Sequence, residues 1–227
     1  TSGKDNCTAT TIKLRKILED DNKITASTLK VELYNAFDAI NTPGKDLALA
    51  ALRTIQNNGE TTCEADGIAV FKDESKYYLF SIDSVQGGVF TFSSTGKEKD
   101  DVTLEISESH TKRFVESKDG QASIRISVQV YTFLDELMDP DVQLDDEKII
   151  ELKELASKRL QEEINCLIKR VQSEYGADIF GFGDLIYKTD PRLWDQLKYR
   201  WDTLFRTLEV KVETEVHIAN AGALSKS

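Results

Sequence analysis

Apolar positions recur at helical spacing through the first forty residues and then give way to an extended run. Ile12, Leu14, Ile17 and Leu18 mark a short helix that runs out in Glu19-Asp20-Asp21-Asn22. Leu29, Leu33, Phe37 and Ile40 share one face of a second helix, with Thr25 or Ser27 placed to cap it and Thr42-Pro43-Gly44 to stop it. Leu47 to Ile55 is apolar enough for a strand or a helix, and periodicity does not decide between them. From Gly67 the pattern reads as strand. Ile68-Ala69-Val70-Phe71 is a buried run, and Asp73-Glu74-Ser75-Lys76 is a turn into Tyr77-Tyr78-Leu79-Phe80. Gly87-Gly88 and Ser93-Ser94-Thr95-Gly96 punctuate the next stretch, and Lys97 to Asp101 forms a charged linker.

Three strongly alternating segments come next: Val102/Leu104/Ile106, Ile124/Ile126/Val128/Val130 and Leu208/Val210/Val212/Val216/Ile218. Apolar residues at every second position, with charges between, predict a sheet that buries one face and wets the other. Lys118-Asp119-Gly120 is a hairpin signal between the first two. The interval before the third is helical. Asp145 or Asp146 caps a long helix that runs to about Tyr175, with acids crowding its first turns as the helix dipole favours. Ile149, Leu152, Leu155, Ala156, Leu160, Ile164, Leu167, Ile168 and Val171 form its apolar stripe, and Gly176 ends it.

Phe180 and Phe182 alternate with Gly181 and Gly183, which suits a tight turn or a close backbone approach. Pro191 opens another helix, on which Trp194, Leu197, Trp201 and Leu204 share a face that reads as core. A half-apolar sheet and a long striped helix bury each other. The fold class is therefore α+β: an antiparallel or mixed sheet covered by the long helix and the shorter tryptophan-bearing helix, after a small α/β segment.

Composition adds exclusions. The 227 residues carry a net charge of −11, which repels nucleic acid and anionic membrane surfaces as direct partners. No apolar run approaches the roughly 20 residues of a membrane-spanning helix. Thr1-Ser2-Gly3-Lys4-Asp5-Asn6 is no secretion signal, and reads as a piece cut from a longer protein. Three cysteines (Cys7, Cys63, Cys166) without a CxxC pair, and only His110 and His217 beside them, lack the spacing of a structural zinc site. Cys166 reads as a small buried hydrophobe on a helix. Cys7 and Cys63 are the pair open to bridging in an oxidising compartment.

Catalytic vocabulary is missing. There is no Gly-x-Ser-x-Gly elbow and no phosphate loop, and Gly181-x-Gly183 lacks the third glycine of a dinucleotide fingerprint. Acidic pairs such as Asp20-Asp21, Asp100-Asp101 and Asp145-Asp146 read as caps and solvated loops, and the acid-rich stretch 135–147 lacks the EF-hand order. No catalytic residue, cofactor or metal is expected.

One resemblance is specific. Ala177-Asp178-Ile179-Phe180-Gly181-Phe182-Gly183, then Leu193-Trp194, then Trp201-Asp202 and a final alternating strand, resembles the C-terminal domain of the Ger(x)C family, the C subunits of spore nutrient germinant receptors. Upstream, Asp66-Gly67-Ile68-Ala69-Val70-Phe71-Lys72 is similar to the Gly-x-Ala-Val-Phe-Lys strand that opens the same domain. The likeness runs from about Cys63 to Leu224. It implies an extended conformation for Leu47–Ile55 and a division into 1–62 (the tail of an N-terminal domain), 63–100 (a small strand-rich subdomain) and 101–224 (the α+β domain). It implies a non-enzymatic lipoprotein on the outer face of the spore inner membrane. A palmitate-type anchor lying ahead of this sequence would hold it there, and it would support assembly and signalling with a membrane A subunit and a membrane B subunit.

Gly67, Phe71, Asp178, Phe180, Gly181, Phe182, Gly183, Trp194 and Trp201 carry the family signature and read as structural. Partner contacts are expected on the exposed face of the long helix and the open face of the sheet. The alternative is a module binding a small molecule or cell-wall fragment between the aromatic helix and the sheet, motivated by the density of aromatic residues there.

Overall fold

The computed structural model describes residues 31, 33–57, 60–72, 76–80, 89–92, 102–118, 120–137 and 145–219. The chain divides into two compact units: Thr1–Gly88 with Ala177–Asp184, and Val89–Gly176 with Leu185–Ser227.

In the first unit, helix α1 (Leu33–Asn41) precedes strands β1 (Leu47–Asn57), β2 (Glu60–Lys72) and β3 (Lys76–Phe80), an antiparallel sheet in the order β1-β2-β3. The ambiguous apolar run from Leu47 is thus extended, pairing Leu47 with Phe71 and Asn57 with Glu60. Its ladder slips between Ala50↔Ile68 and Leu52↔Ala65, so one residue of β1 faces two of β2. Gly67 is one of those two and takes φ 99°, a conformation that side-chain-bearing residues rarely adopt in a bulge. Helix α1 differs from the face its periodicity predicts. Ala36 and Ala39 are buried while Phe37 and Ile40 are exposed, and α1 lies against β1. The earlier helix with Ile12, the expected caps Thr25 and Ser27, and the turn at Asp73–Ser75 lie outside the described residues.

The second unit holds β4 (Val89–Phe92), β5 (Val102–Lys118), β6 (Gln121–Leu137) and β7 (Glu209–Ala219), in the order β4-β5-β6-β7. β4, β5 and β6 pair antiparallel, and β7 lies parallel to β6, so the sheet is mixed. The hairpin falls where the turn residues put it: Lys118 pairs with Gln121, and Gly120 has φ 75°. Alternation in β6 is strict, with Ile124, Ile126, Val128, Val130 and Thr132 buried on one face.

Parallel pairing needs a long crossover, and helices supply it. Helix α2 (Asp146–Arg170) starts at Asp145, whose carboxylate accepts the Lys148 N–H at 2.8 Å, and it continues as a π-helical turn over Val171–Tyr175. Gly176, at φ 62°, ends it in a left-handed conformation. Leu152, Ala156, Ile168 and Val171 are the buried part of its stripe. Cys166 is exposed, not a core residue, since it lies off that stripe. Buried Gln172 donates to the carbonyls of Phe205 and Leu208, both at 2.9 Å, and so ties the helix end to the start of β7.

Two helical expectations need correction. Phe182–Thr189 is a helix, α3, so the glycine-rich run is half turn and half helix start. The tryptophan helix is not continuous: α4 (Pro191–Leu197) passes through a 3-10 turn, Lys198–Arg200, into α5 (Trp201–Phe205). Trp194, Leu197 and Trp201 are nevertheless all buried. Three residues of tighter 3-10 winding rotate the face by only about 60°, so both indoles stay on the core side.

Candidate functional site

Two of the signature residues, Phe182 and Gly183, meet the carboxylate of a third, Asp178. Asp178 is buried, and its Oδ1 accepts the Phe182 N–H at 3.0 Å and its Oδ2 the Gly183 N–H at 2.8 Å. These are the first two residues of α3, so Asp178 supplies acceptors for N–H groups that a helix start leaves without partners. Gly181, at φ 69°, makes the reversal that lets the chain return onto its own aspartate. A Cβ there would rest at ordinary van der Waals distance, 3.5 Å, from the Lys45 side chain, so backbone conformation rather than space calls for glycine. The Phe180 and Phe182 rings stack at 5.2 Å.

The chain just after α1 completes this cluster. The Asp46 carboxylate accepts the Asp178 N–H at 2.6 Å and pairs with Lys72 Nζ at 3.1 Å, while the Asp184 N–H donates to the Gly44 carbonyl at 3.1 Å. Burial pushes the Asp178 carboxyl up to about 6; the Gly183 and Phe182 N–H groups oppose this, and the neighbouring Asp46 charge adds to it. Trp194 and Trp201, in the second unit, meet edge to face at 5.4 Å, with Phe205 6.3 Å beyond Trp201. Phe71 is half-buried on β2. Among the described residues no group of three or more His, Cys, Asp or Glu is placed to hold a metal ion.

The open face of the four-stranded sheet carries a different set of residues, which hydrophobic alternation does not single out. Tyr131 on β6 stacks on His217 of β7 at 4.7 Å and meets His110 of β5 edge-on at 5.9 Å, so both histidines of the chain border one tyrosine. Each histidine has an acid beside it: Glu108 at 3.1 Å from His110, Glu215 at 3.4 Å from His217. Further along, Arg125 lies over the Phe114 ring at 4.4 Å and reaches Glu116 at 2.7 Å and Glu213 at 3.7 Å, linking three strands. The sequence does carry a signal for this face, because Tyr131 and Phe133 sit at outward positions among otherwise polar residues; the apolar half of the alternation does not contain it.

A third feature is an open cleft of about 680 Å³ at the turn end of the hairpin, lined by Lys118, Gln121 and Ser123 on one side and Leu197, Arg200 and Glu209 on the other. It lies between the tryptophan-bearing helices and the sheet, but no aromatic ring lines it. No helix among the described residues is long and apolar enough to cross a membrane.

Comparison with known proteins identifies the family. The family model described as "Spore germination B3/ GerAC like, C-terminal" matches residues 66–222. Spore germination protein KC of Bacillus subtilis (strain 168) is 33% identical over 172 residues, 70% of this chain and 42% of that protein. Spore germination protein B3 of the same strain is 26% identical over 155 residues, 68% of this chain and 41% of that protein. The chain therefore spans about two fifths of the length of these relatives. The crystal structure of the GerBC protein superposes with a TM-score of 0.67 at 22% identity, over 84% of this chain and 61% of that one, which establishes a shared α+β fold. With the family model covering most of the chain, the chain belongs to the Ger(x)C family of spore germination proteins.

Proposed function

We propose that the protein works as the C subunit of a spore nutrient germinant receptor, a non-enzymatic lipoprotein held on the outer face of the inner membrane that assembles with the A and B membrane subunits. The family match over residues 66–222 carries this reading. The architecture supports it: signature side chains are taken up in capping a helix and packing a core, which leaves the open sheet face as a surface for partners. The test is germination of spores lacking the gene, with nutrients compared against a chemical trigger that bypasses receptors. Loss of the nutrient response alone, restored by the full-length lipidated gene, is the expected result. Loss of both responses would place the protein downstream and return a cell-wall role to the front.

The cleft beside Leu197 and Arg200 supports one second reading, a small-molecule site. Lys118 and Arg200 suit an anionic group and Glu209 a cationic one, as in an amino acid. Calorimetric titration with amino acids, sugars and muropeptides tests it; no saturable heat would remove it.

A further inference from the structure

The two outer edges of the four-stranded sheet are treated differently. On β7 the edge is sealed by α2. The Val216 N–H donates to Ser157 Oγ at 2.9 Å, the Thr214 hydroxyl donates to the Ser157 carbonyl at 2.6 Å, and the Gln161 amide donates to the Val212 carbonyl. On the other side, β4 pairs with β5 only from Val102 to Glu105. Among the described residues, no strand pairs with the outer side of β5 from Ile106 to Lys118.

The register says which main-chain groups face outward there. Lys118 and Gln121 flank a two-residue turn, and the ladder runs unbroken from that pair back to Glu108↔Tyr131. In such a hairpin the flanking pair exchanges both hydrogen bonds, and alternate residues follow suit. Glu116, Phe114, Lys112, His110 and Glu108 therefore turn their peptide groups to β6. Ser109, Thr111, Val115 and Ser117 turn theirs away from it.

Charge selects the occupant. The stretch Ser109-His110-Thr111-Lys112-Arg113-Phe114-Val115 holds two permanent cations and no acid, in a chain whose net charge is −11. The nearest acid on the turn side, Glu116, is engaged by Arg125. A second copy laid antiparallel in the register centred on this stretch would set Lys112 opposite its own counterpart, and like charges on facing strands are unfavourable. Edge lysines are a common device against such self-pairing, yet they leave the main-chain donors and acceptors open.

We propose that the β5 edge, Ser109–Ser117, is a strand-addition site that takes an extended, acidic segment of a partner subunit. Main-chain hydrogen bonds would give the affinity, and Lys112 on the open face the selectivity. This rests on the receptor-subunit reading.

The test is co-expression of the full-length protein with the A and B subunits, affinity capture from detergent, and amide hydrogen exchange on the captured complex. Thr111→Pro removes one outward N–H at an edge position where proline is tolerated, and Thr111→Val keeps it. Wild type and Thr111→Val are expected to retain the partner subunits, Thr111→Pro to lose them by about tenfold or more, and Lys112→Glu to weaken capture. The amides of Ser109, Thr111 and Ser117 are expected to exchange more slowly in the complex than in the free protein. If Thr111→Pro proves unfolded by circular dichroism, Lys112→Glu and the exchange readout decide the matter. A wild-type complex in which those amides stay unprotected and Lys112→Glu captures normally overturns the edge proposal and leaves the subunit reading standing. Failure of the wild type to capture either membrane subunit overturns both. A homodimer of the free protein that Thr111→Pro dissolves overturns the choice of occupant.

Discussion

Asp46 and Asp178, 132 residues apart in sequence, grip each other's backbone: the Asp46 N–H donates to the Asp178 carbonyl at 2.9 Å, and the Asp178 N–H donates to the Asp46 carboxylate at 2.6 Å. The exchange resembles one rung of a sheet, with a side chain standing in for one carbonyl. It fixes the stretch after α1 against the turn that starts α3, and Lys72 shares the same Asp46 oxygen. The acid that organises the signature turn is therefore itself positioned from a distant part of the chain.

Asp46→Ala removes the acceptor for a part-buried N–H and the counter-charge facing Lys72, whose side chain is only 14% exposed. Leaving such a donor unmet costs about 1–3 kcal/mol. Asp46→Asn, which keeps an acceptor oxygen, loses less. Urea unfolding midpoints of the two variants check this, and equal midpoints for wild type and Asp46→Ala would contradict it.

Asp178 predicts a pH dependence with a definite sign. Its carboxyl is raised from 3.8 to about 6 in the fold, with burial the main cause. Between these values the folded state holds a proton that the unfolded state has released. This group's contribution is therefore greatest below about pH 4 and is lost as the pH rises through about 6. Asp178→Asn removes the titration. The stability difference between wild type and variant, measured from pH 4 to pH 7, should move against the wild type as pH rises; parallel profiles would exclude the effect.

At the other end of α2, Arg206 donates to the carbonyls of Ser173 at 2.9 Å, Tyr175 at 3.4 Å and Gln172 at 3.5 Å, closing over Gly176. A Cβ on Gly176 would run into that guanidinium, and φ 62° disfavours any side chain. Gly176→Ala is expected to cost about 1–2 kcal/mol from conformation alone, and more while Arg206 is present. A double-mutant cycle with Arg206→Ala isolates the second part, and strict additivity would show that the arginine simply moves aside.

Ser157→Ala removes the acceptor for the Val216 N–H on the β7 edge. The expected cost is about 1 kcal/mol, and native-state exchange of the Val216 amide should accelerate more than that of β6 amides. Unchanged exchange at Val216 would mean that the serine does not seal the edge.

Much of this architecture can be read from residue order, and the exceptions have physical causes. β6 and β7 bury one face each, so alternation marks them; α2 carries its stripe, its Asp145 cap and its Gly176 stop in plain sequence. The outer half of β5 does not, because Glu108 to Phe114 are exposed on both faces and nothing forces a period of two. Gly181 and Gly183 hide helix α3; its start depends on a carboxylate that is itself held by Asp46. Phe37 and Ile40 have the spacing of a core face, but it is Ala36 and Ala39 that are buried. Hydrophobicity alone misplaces Cys166, which should react readily with a thiol reagent in the native protein. Of the candidate surfaces, the signature cluster is legible as residues but not as geometry. The row of His110, Tyr131 and His217 needs the register of three strands before it exists at all.

The parallel pairing of β6 with β7 has a kinetic consequence. β5 and β6 are neighbours in sequence and can zip from their turn, whereas β7 joins only after the whole helical crossover from Asp146 to Phe205 has been laid down. Closing that distance carries a chain-entropy penalty that the hairpin never meets, so β7 is expected to join the sheet after the β5–β6 hairpin has formed. On the ribosome the order is the same. Until β7 emerges, the far side of β6 stands open, and the nascent sheet is one strand short on the side where the finished protein is sealed.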